Sequence, residues 1–463
     1  MPKKKTALTI EERLQQALVP AEEQPYDVPE NWVWVRLGAF AETISKGTTP
    51  KGGSAAYVDE GVNFLRVENL TSDGYISHSK ITHITEEMHE NYLKRSILKA
   101  NDLLISIAGS LGKSAIVREC DLPINTNQAI AFVRLFADKI DVNYIRNTIE
   151  SPLINSVLTK QTKVTSIPNL TLEIIKDCPI PLPPLSEQQR IVERIEELFA
   201  KLDEAKERLQ EVADSFAVRK AAILHKAFTG ELTKQWRREN GVSDESWEVK
   251  AIGKICSSLK YGTSKKSSDD GEVVVLRMGN LQNGEIDWSN LAYTSDEEEI
   301  KKYLLKPGDV LFNRTNSPEL VGKTSIYRGE MPAIYAGYLI KLDYEKNIVV
   351  GDYLNYYLNS SKAKEYYMQV KTDGVSQSNI NAKKIGEFEI PLPSLPEQHE
   401  IVRLIDDLLA RERAAQQAAE QALASIDLMK KSILARAFRG ELGTNKASEA
   451  SALELLKQVL AEN

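Results

Sequence analysis

The hydrophobic pattern of the chain is dominated by one segment in which apolar residues recur in alternating steps of four and three. Glu, Lys and Arg fill the positions between them, so the apolar residues form one stripe along a helix. Ser186 before the stripe and Gly230 after it predict a helix over about residues 186–227, with Ser186 as its N-cap. At ~1.5 Å per residue such a helix is about 60 Å long. The stripe consists of Ile191, Ile195, Leu198, Leu202, Ala205, Leu209, Val212 and Phe216.

The same segment returns later in the chain. Residues 181–200 and 391–410 are identical at eleven of twenty positions, at a constant offset of 210. Residues 220–232 and 430–442 share eight positions at the same offset. The second copy predicts another long helix, over about residues 397–437. Its stripe contains small residues such as Ala415 and Ala419, which let two helices approach closely.

The regions in front of the two helices are also related, although more loosely. Because solenoid repeats have periods of about 20–50 residues, a repeat of this length indicates a duplicated domain. The aligned positions are Trp32, Gly38 and Gly47-Thr48 with Trp247, Gly253 and Gly262-Thr263 at an offset of 215, Leu65-Arg66 and Asn69-Leu70 with Leu276-Arg277 and Asn280-Leu281 at 211, and Gly112-Lys113 with Gly322-Lys323 at 210.

The front regions mix short apolar runs, which predict strands, with longer stretches that predict helices, and Gly-rich or Ser/Thr-rich turns join them. The fold class that follows is α+β: two globular domains separated by two long helices and related by a pseudo-two-fold internal repeat. The strand-like runs are residues 62–67, 103–107, 129–136, 273–278, 310–313 and 333–342, and the helical stretches lie near residues 142–159 and 352–370.

A long helix with an apolar stripe needs a partner to cover that stripe. The sequence predicts an antiparallel coiled coil between the two copies in one chain, with a coiled coil between two chains as the alternative. Amphipathic stretches at residues 8–19 and 453–460 are expected to close the ring of domains, to contact a partner subunit, or to fray. The predicted segments are an N-terminal amphipathic arm (1–31), a first globular domain (32–185), a central helical region (186–243), a second globular domain (244–395) and a C-terminal helical region with a tail (396–463).

Composition is that of a soluble globular protein. Of 463 residues, 42% are apolar and 27% charged, and no apolar stretch is long enough to span a bilayer. No apolar signal core follows the basic N-terminus, so we expect a cytoplasmic protein without a membrane partner. Cys120, Cys178 and Cys256 are far apart in sequence, which favours buried free thiols over disulfides or a zinc site.

The net charge of −7 argues against a broadly basic, nucleic-acid-binding surface. A local cluster of Arg and Lys can still bind phosphate whatever charge the rest of the protein carries. We therefore expect modest affinity for DNA in isolation, with a partner supplying further basic surface.

The motifs of common catalytic sites are incomplete or missing. Gly112-Lys113-Ser114 and Gly322-Lys323-Thr324 resemble the end of a phosphate-binding loop. The full motif also needs a glycine that is separated from the Gly-Lys pair by four residues. In the first copy Gly109 is too close to the pair, and in the second copy Ser317 stands at that position. The histidines form no HExxH set, and the sequence has no Gly-x-Ser-x-Gly motif and no Asn/Asp-Pro-Pro-aromatic motif of adenine methyltransferases. The sequence therefore predicts no catalytic residue, no metal site and no bound cofactor.

The order of these features resembles the specificity subunit of type I restriction-modification systems. In both halves of the chain a divergent domain is followed by a PLPxLxEQ motif, a long IVxxI helix and an AFxGEL motif. The resemblance covers nearly the whole chain, and the duplicated spacing makes it specific. It rests on residues 181–200, 223–232, 391–410 and 433–442.

This resemblance implies that the two globular domains are target-recognition domains, each reading one half of a split target in double-stranded DNA, and that the long helices form the spacer. It implies two modification subunits, which carry S-adenosylmethionine and methylate adenine, and two restriction subunits, which add ATP-driven translocation and cleavage. This chain would itself be non-catalytic. The alternatives are a coiled-coil scaffold without DNA recognition and, more distantly, a fragment of a single-chain restriction enzyme.

Candidate DNA-binding residues are the polar and basic side chains of the predicted loops, which suit base edges and phosphates. Positions matched between the domains, such as Arg66 and Arg277, are expected to do a shared job, either gripping phosphate or holding the fold. Bases are expected to be read by residues that differ. The candidates are Lys46, Gly47, Thr48, Thr49, Arg66, Asn69, Ser110, Lys113, Asn125, Asn127, Gln128, Ser166 and Asn169 in the first domain, and Tyr261, Thr263, Ser264, Arg277, Asn280, Arg314, Asn316, Lys323, Ser376, Gln377 and Asn379 in the second.

Overall fold

The computed structural model describes residues 9–71, 73–136, 139–160, 169–375 and 377–462. The chain divides into two compact units. The first unit combines Met1–Arg208 with Ala422–Asn463, and the second unit is Leu209–Gln421. Each unit therefore contains one globular domain together with segments of both long helices. The five consecutive segments inferred from the sequence remain a prediction.

The two long helices lie where the repeated apolar stripes predict them, and shorter helices pack within the domains. The helices are α1 (Ile10–Ala17), α2 (Val142–Glu150), α3 (Pro152–Lys160), α4 (Leu172–Lys176), α5 (Leu185–Asp214), α6 (Phe216–Phe228), α7 (Lys234–Asn240), α8 (Ile252–Ile255), α9 (Glu297–Tyr303), α10 (Gly351–Leu358), α11 (Ser361–Val370), α12 (Ala382–Gly386), α13 (Leu395–Ala437) and α14 (Ala452–Glu462).

The strands are short and belong to the two globular domains. They are β1 (Val33–Arg36), β2 (Ala41–Lys46), β3 (Val62–Leu65), β4 (Thr82–Ile84), β5 (Leu103–Ser106), β6 (Ser114–Ile116), β7 (Ile124–Thr126), β8 (Ile130–Leu135), β9 (Pro179–Leu182), β10 (Glu248–Ala251), β11 (Cys256–Tyr261), β12 (Val273–Leu276), β13 (Leu281–Gln282), β14 (Glu285–Ile286), β15 (Tyr293–Thr294), β16 (Val310–Asn313), β17 (Thr315–Asn316), β18 (Thr324–Ile326), β19 (Ala333–Tyr335), β20 (Leu339–Tyr344), β21 (Thr372–Asp373), β22 (Ser378–Asn379) and β23 (Glu389–Leu392).

The sheet topology repeats between the domains, as the duplication predicts. The first domain has an antiparallel sheet in the order β2-β8-β5-β6 and a mixed sheet in the order β4-β3-β7. The second domain repeats them as β11-β20-β16-β18 and β15-β12-β19, and β12 pairs with β19 in parallel, as β3 does with β7. In each domain the strand after the matched tryptophan pairs with the strand of the PLP motif, β1 with β9 and β10 with β23.

In the first unit the start of α5 packs against the end of α13. Ile191 and Ile195 share a hydrophobic core with Leu434 and Phe438. Farther along α5, Asp203 pairs with Lys430 at 2.6 Å. Because the residue numbers rise on one helix as they fall on the other, the two segments run antiparallel.

In the second unit α6 packs in the same way against the start of α13. Leu224 and Ala227 share a core with Ile401 and Ile405. Arg219, near the start of α6, pairs with Glu412. The two segments are therefore antiparallel within this unit too.

Several predicted elements are divided in the structure. The helical stretches near 142–159 and 352–370 are each two helices, because Pro152 starts α3 and the Ser360 hydroxyl caps α11 by accepting a hydrogen bond from the Ala363 N–H. The apolar run 333–342 is two strands, β19 and β20, which lie in different sheets. The helix predicted over residues 186–227 is interrupted at Ser215.

The prediction that Ser186 is an N-cap was wrong. The helix begins at Leu185, and the Pro184 carbonyl accepts hydrogen bonds from the N–H groups of Glu187 and Gln188. The Ser186 hydroxyl instead donates to Glu449 Oε1 at 3.1 Å. The predicted stop at Gly230 is confirmed, since α6 ends at Phe228 and Gly230 has a φ of +78°.

The two terminal helices are docked on the first unit, so the expectation of a frayed tail was wrong. Ala17 on α1 and Leu456 and Val459 on α14 are buried in its main core. Arg13 Nη1 also donates to the Leu460 carbonyl at 3.1 Å. The described part of each terminal stretch is therefore an integral layer of the first unit.

The thiols are only partly as predicted. Cys178 is buried and Cys256 half-buried, whereas Cys120 is exposed because it lies in a surface turn after β6. Burial raises the pKa of the Cys178 thiol, and it raises the pKa of the Cys256 thiol to about 12.

Among the described residues no helix has the length and apolar character needed to cross a membrane. The same residues contain no cluster of His, Cys, Asp and Glu suited to a metal ion.

Candidate nucleic-acid interface

The Glu-Gln pair of the repeated PLPxLxEQ motif fixes each long helix to its domain. In the first unit Glu187 is fully buried and accepts hydrogen bonds from Trp32 Nε1 at 2.8 Å and Asn445 Nδ2 at 2.9 Å. In the second unit Glu397 accepts from Trp247 Nε1 at 3.0 Å and from Arg237 Nη1 at 2.7 Å. The motif therefore has a structural role in each unit, which was not predicted from the sequence.

The adjacent glutamines make matched contacts to backbone. Gln188 accepts from the Asp141 N–H at 3.0 Å and donates to the Pro183 carbonyl at 3.1 Å. Gln398 accepts from the Val350 N–H at 2.8 Å and donates to the Pro393 carbonyl at 2.8 Å. Each domain is thus held in a defined orientation on the helix segment that follows it.

The second domain has a concave surface of about 720 Å³ where several strands end. Tyr261 ends β11, Arg277 follows β12, Arg314 follows β16, and Tyr338 lies between β19 and β20. We call this surface the second-domain groove. It brings together the predicted residues Tyr261, Thr263, Ser264, Arg277 and Arg314.

The backbone of the loop beside this groove is closely packed. A Cβ atom at Gly262 would lie 2.1 Å from the Tyr335 carbonyl oxygen, so only glycine fits. The Thr263 N–H donates to that carbonyl at 2.9 Å, and the Gly337 N–H donates to the Thr263 carbonyl at 2.7 Å. Thr263 is buried, and its hydroxyl accepts from the Lys265 N–H, so this residue shapes the groove from within.

Gly47 and Thr48 repeat this arrangement in the first domain. A Cβ atom at Gly47 would lie 2.1 Å from the Asn127 carbonyl oxygen, and the Thr48 N–H donates to the Thr126 carbonyl at 3.0 Å. The Thr48 hydroxyl accepts from Arg95 Nε at 3.2 Å. The matched Gly-Thr pair therefore holds the fold, and in this structure Gly47 is buried away from solvent.

Four cationic side chains and one carboxylate, that of Asp269, line the second-domain groove. Across the described part of the chain, Arg277, Arg314 and Lys266 have no acidic partner within 4.0 Å, whereas Lys265 pairs with Asp296 at 2.6 Å. The hydrogen bond to Asp296 raises the pKa of Lys265. Arg277 Nη2 donates to Asn290 Oδ1 at 3.0 Å, which fixes its position. A locally positive surface therefore exists on a chain whose net charge is −7.

Three predicted asparagines are buried, and their amides are used by the fold. Asn69 accepts from the Arg66 N–H and donates to the Ser77 carbonyl, and Asn280 accepts from the Arg277 N–H and donates to the Asp287 carbonyl. Asn125 donates to the Leu93 carbonyl at 3.2 Å. These side chains are unavailable to DNA in this structure.

The other candidates of the first domain lie mostly on its surface. Arg66 pairs with Glu68 at 2.5 Å, and Asn127 Oδ1 accepts from the Ala129 N–H. The Thr49 hydroxyl is buried without a hydrogen-bond partner. The exposed candidates are Lys46, Ser110, Lys113, Gln128 and Asn169, and Ser166 lies outside the described residues.

Of the remaining candidates in the second domain, Lys323 directly precedes β18, and the other described ones lie on β17 or in the hairpin of β21 and β22. Lys323 Nζ donates to Gln282 Oε1 at 2.9 Å, and Asn379 Nδ2 donates to the Thr315 hydroxyl at 2.8 Å. Asn316 Oδ1 accepts from the Ser317 N–H. Gln377 is exposed at the hairpin turn beside Val375, and Ser376 lies outside the described residues.

Two groove features were missed from the sequence. Lys265-Lys266 directly follows the predicted Thr263-Ser264, so the basic pair itself was the available signal. Tyr338 has 46% of its surface exposed at the groove edge, and only the division of the run 333–342 into two strands reveals this turn.

Comparison with known proteins gives a consistent result. The sequence profile of the family described as type I restriction modification DNA specificity domain matches residues 29–214 and 244–422. The chain is 25% identical over 460 residues to the type I restriction enzyme EcoBI specificity subunit of Escherichia coli, covering 94% of this chain and 93% of that protein. It is also 25% identical to the EcoKI specificity subunit of the same species, covering 94% of this chain and 96% of the relative.

A solved structure has the same fold. The crystal structure of the HsdS subunit from Thermoanaerobacter tengcongensis aligns with a TM-score of 0.64 at 21% identity, over 91% of this chain and all of that one. The first profile match includes one globular domain and the whole of α5, and the second includes the other domain and α13 as far as residue 422.

Proposed function

The chain belongs to the type I restriction modification DNA specificity domain family, and we propose that it is a specificity subunit that recognises a split target in double-stranded DNA. Each globular domain reads one half of the target. The observation that carries this proposal is the duplicated family domain, in which the fold is shared while exposed side chains differ between copies. Two different readers permit an asymmetric target.

The second-domain groove supports DNA as the ligand. Arg277, Arg314 and Lys266 suit phosphate oxygens and base edges, and Tyr338 adds an exposed ring. Because the whole chain is acidic, we expect DNA to be bound by local contacts in the groove and not by long-range attraction to the chain's net charge. Affinity for DNA therefore depends partly on basic surface from a partner.

The long helices serve as the spacer, an antiparallel coiled coil that fixes the gap between the half-sites. The antiparallel contacts of α5 with α13 in the first unit and of α6 with α13 in the second support this role. Helix α13 has 43 residues, which at ~1.5 Å per residue gives about 65 Å.

Catalysis belongs to partner subunits in this proposal. Two modification subunits bind the chain, hold S-adenosylmethionine and methylate adenine, and two restriction subunits supply translocation and cleavage. The support is that the relatives are named specificity subunits and that the sequence lacks methyltransferase, P-loop and metal-ligand motifs.

Sequencing of methylated bases in the host genome, with and without this gene, tests the function. We expect deletion of the gene to abolish adenine methylation at one split motif, and exchange of residues 32–180 for a relative's domain to change one half of that motif. An unchanged methylation pattern after deletion would contradict the proposal and favour the scaffold alternative. Methyl transfer by the purified chain alone would contradict the assignment of catalysis to partners.

A further inference from the structure

Arg314 in the second-domain groove is held in one orientation by neutral groups. Its Nε donates to the Gly337 carbonyl at 2.9 Å, and its guanidinium lies 4.8 Å from the centroid of the Tyr261 ring. Its backbone is fixed as well, since its N–H donates to the Tyr338 carbonyl and its carbonyl accepts from the Ile380 N–H. Nη1 makes one long contact of 3.5 Å to Asn379 Oδ1.

The positive charge and the outer nitrogen Nη2 of this guanidinium are available to bind a ligand. Within the described residues Arg314 meets no carboxylate within 4.0 Å, and its Nη2 donates no hydrogen bond. A half-buried arginine is ordinarily paired with an acid, because burying an unpaired charge costs free energy. An anionic or acceptor-rich group that enters the groove would complete its hydrogen bonds.

The equivalent position in the first domain shows that the fold does not need this arginine. Ile107 follows β5 as Arg314 follows β16, and its N–H donates to the Ala129 carbonyl as that of Arg314 donates to Tyr338. The carbonyl of Ile107 accepts from the Leu170 N–H, which matches the bond from Ile380 to Arg314. The same backbone position therefore carries a buried isoleucine in one domain and a groove arginine in the other.

The stacking partner differs between the domains in the same way. Tyr261 pairs with Ile340 in the sheet of the second domain, where Lys46 pairs with Ala131 in the first. The next two residues, Gly-Thr, are identical in the two domains. The stack of Arg314 on Tyr261 is therefore built in the second domain alone, beside a loop that both domains share.

We propose that Arg314 reads a guanine in the half-site recognised by the second domain, and that Tyr261 is its positioning residue; this inference rests on the proposed DNA-binding function. With Nε occupied by Gly337, the two Nη groups present a fork that fits the O6 and N7 acceptors of guanine in the major groove. Phosphates are the same at every half-site, so a residue that differs between the readers suits a base better than a phosphate.

The test uses the full chain assembled with the modification subunit of its own system and a library of duplex DNA randomised in both half-sites. For Arg314→Gln we expect the preference for guanine at one position of one half-site to fall by about 5- to 150-fold, with the other half-site unchanged. Tyr261→Leu should weaken the same preference, and Tyr261→Phe, which keeps the ring, should retain it. Melting temperatures of the variants establish that they are folded.

The outcomes separate the two levels of the proposal. Arg314 contacts a phosphate if Arg314→Gln weakens binding to all sequences equally, if Arg314→Lys restores that binding, and if the salt dependence of Arg314→Gln is shallower by about one charge. That result would overturn the inference. An unchanged preference in a folded Arg314→Gln variant would also overturn it. Lack of any sequence preference in the unmodified complex would overturn the proposed function itself.

Discussion

Glu187 and Glu397 occupy matched positions in the repeat but have different hydrogen-bond partners. Each oxygen of Glu397 faces a donor that cannot reverse, Arg237 Nη1 at Oε1 and Trp247 Nε1 at Oε2; the Thr233 hydroxyl also donates to Oε1. Glu187 faces Trp32 Nε1 on one side, but on the other it meets the Thr444 hydroxyl, which can turn to accept. The two carboxylates should therefore tolerate conversion to an amide unequally.

We expect Glu397→Gln to destabilise the second unit by about 1.5–3 kcal/mol, because an amide NH₂ would face a donor and the buried Arg237 would lose a charged partner. Glu187→Gln is the matched control and should cost less than half as much. Hydrogen exchange measured by mass spectrometry resolves the two units in the full chain. Equal loss of protection in the two variants would contradict this account.

Gly262 offers a second test at the scale of one residue. We expect Gly262→Ala to destabilise the second domain by about 1–3 kcal/mol, because the new methyl group would lie 2.1 Å from a backbone carbonyl oxygen that the sheet holds in place. Gly279→Ala in the same domain is the control, since a Cβ atom there meets nothing within 4 Å. Thermal unfolding of the two variants should differ, and equal midpoints would show that the loop can move aside.

At the scale of elements, the periodicity of apolar residues predicted the helices and strands that depend on local sequence. The long stripe predicted α5, α6 and α13, and the short apolar runs predicted strands such as β5 and β16. The division of residues 333–342 was missed because it depends on tertiary pairing, with β19 beside β12 and β20 beside β11 and β16. Pro152 and Ser360 did carry local signals for the helix breaks at their positions.

The candidate site was less predictable than the fold for a physical reason. Sequence identifies side chains that can hydrogen-bond, but burial decides whether the fold already uses them. Asn69 and Asn280 have the chemistry of base readers and instead bond to backbone within their own domains. Arg314 was one polar candidate among many until the structure placed it on Tyr261 in a groove.

The C-terminal helix α14 provides a prediction at this scale. Leu456 is fully buried in the core of the first unit, whereas its neighbour Lys457 is partly exposed beside Glu454. We expect Leu456→Ala to destabilise the first unit by about 2–5 kcal/mol and Lys457→Ala to change its stability by less than about 0.5 kcal/mol. Hydrogen exchange in α1, which shares this core, is the measurement. Unchanged exchange in α1 after Leu456→Ala would show that the terminal helices are only loosely attached.

At the scale of the whole molecule, the proposed function requires the length of the long helices to set the gap between the two DNA half-sites. A four-residue insertion next to Arg208 would lengthen α5 by ~6 Å and turn the chain beyond it by a little over one turn. Along B-DNA ~6 Å is nearly two base pairs. We expect an assembled variant to methylate the same two half-sites with a longer gap, as measured by sequencing of methylated bases. The bases read should stay the same because neither domain is altered.

A four-residue insertion after Gly241, in the exposed turn that follows α7, is the control for this prediction. Gly241 has a φ of +64°, and a Cβ atom there would meet nothing within 4 Å, so the turn has room for extra residues at a point that lies outside both long helices. The control should keep the original gap. An insertion in α5 also rotates its apolar stripe relative to α13, which can break the packing of the two helices. Each variant must therefore first be shown by size-exclusion chromatography to bind the modification subunits. An assembled Arg208 variant that still methylates the original motif with its original gap would exclude the helices as the ruler, since the readers and the DNA would be unchanged while the helix between them had grown.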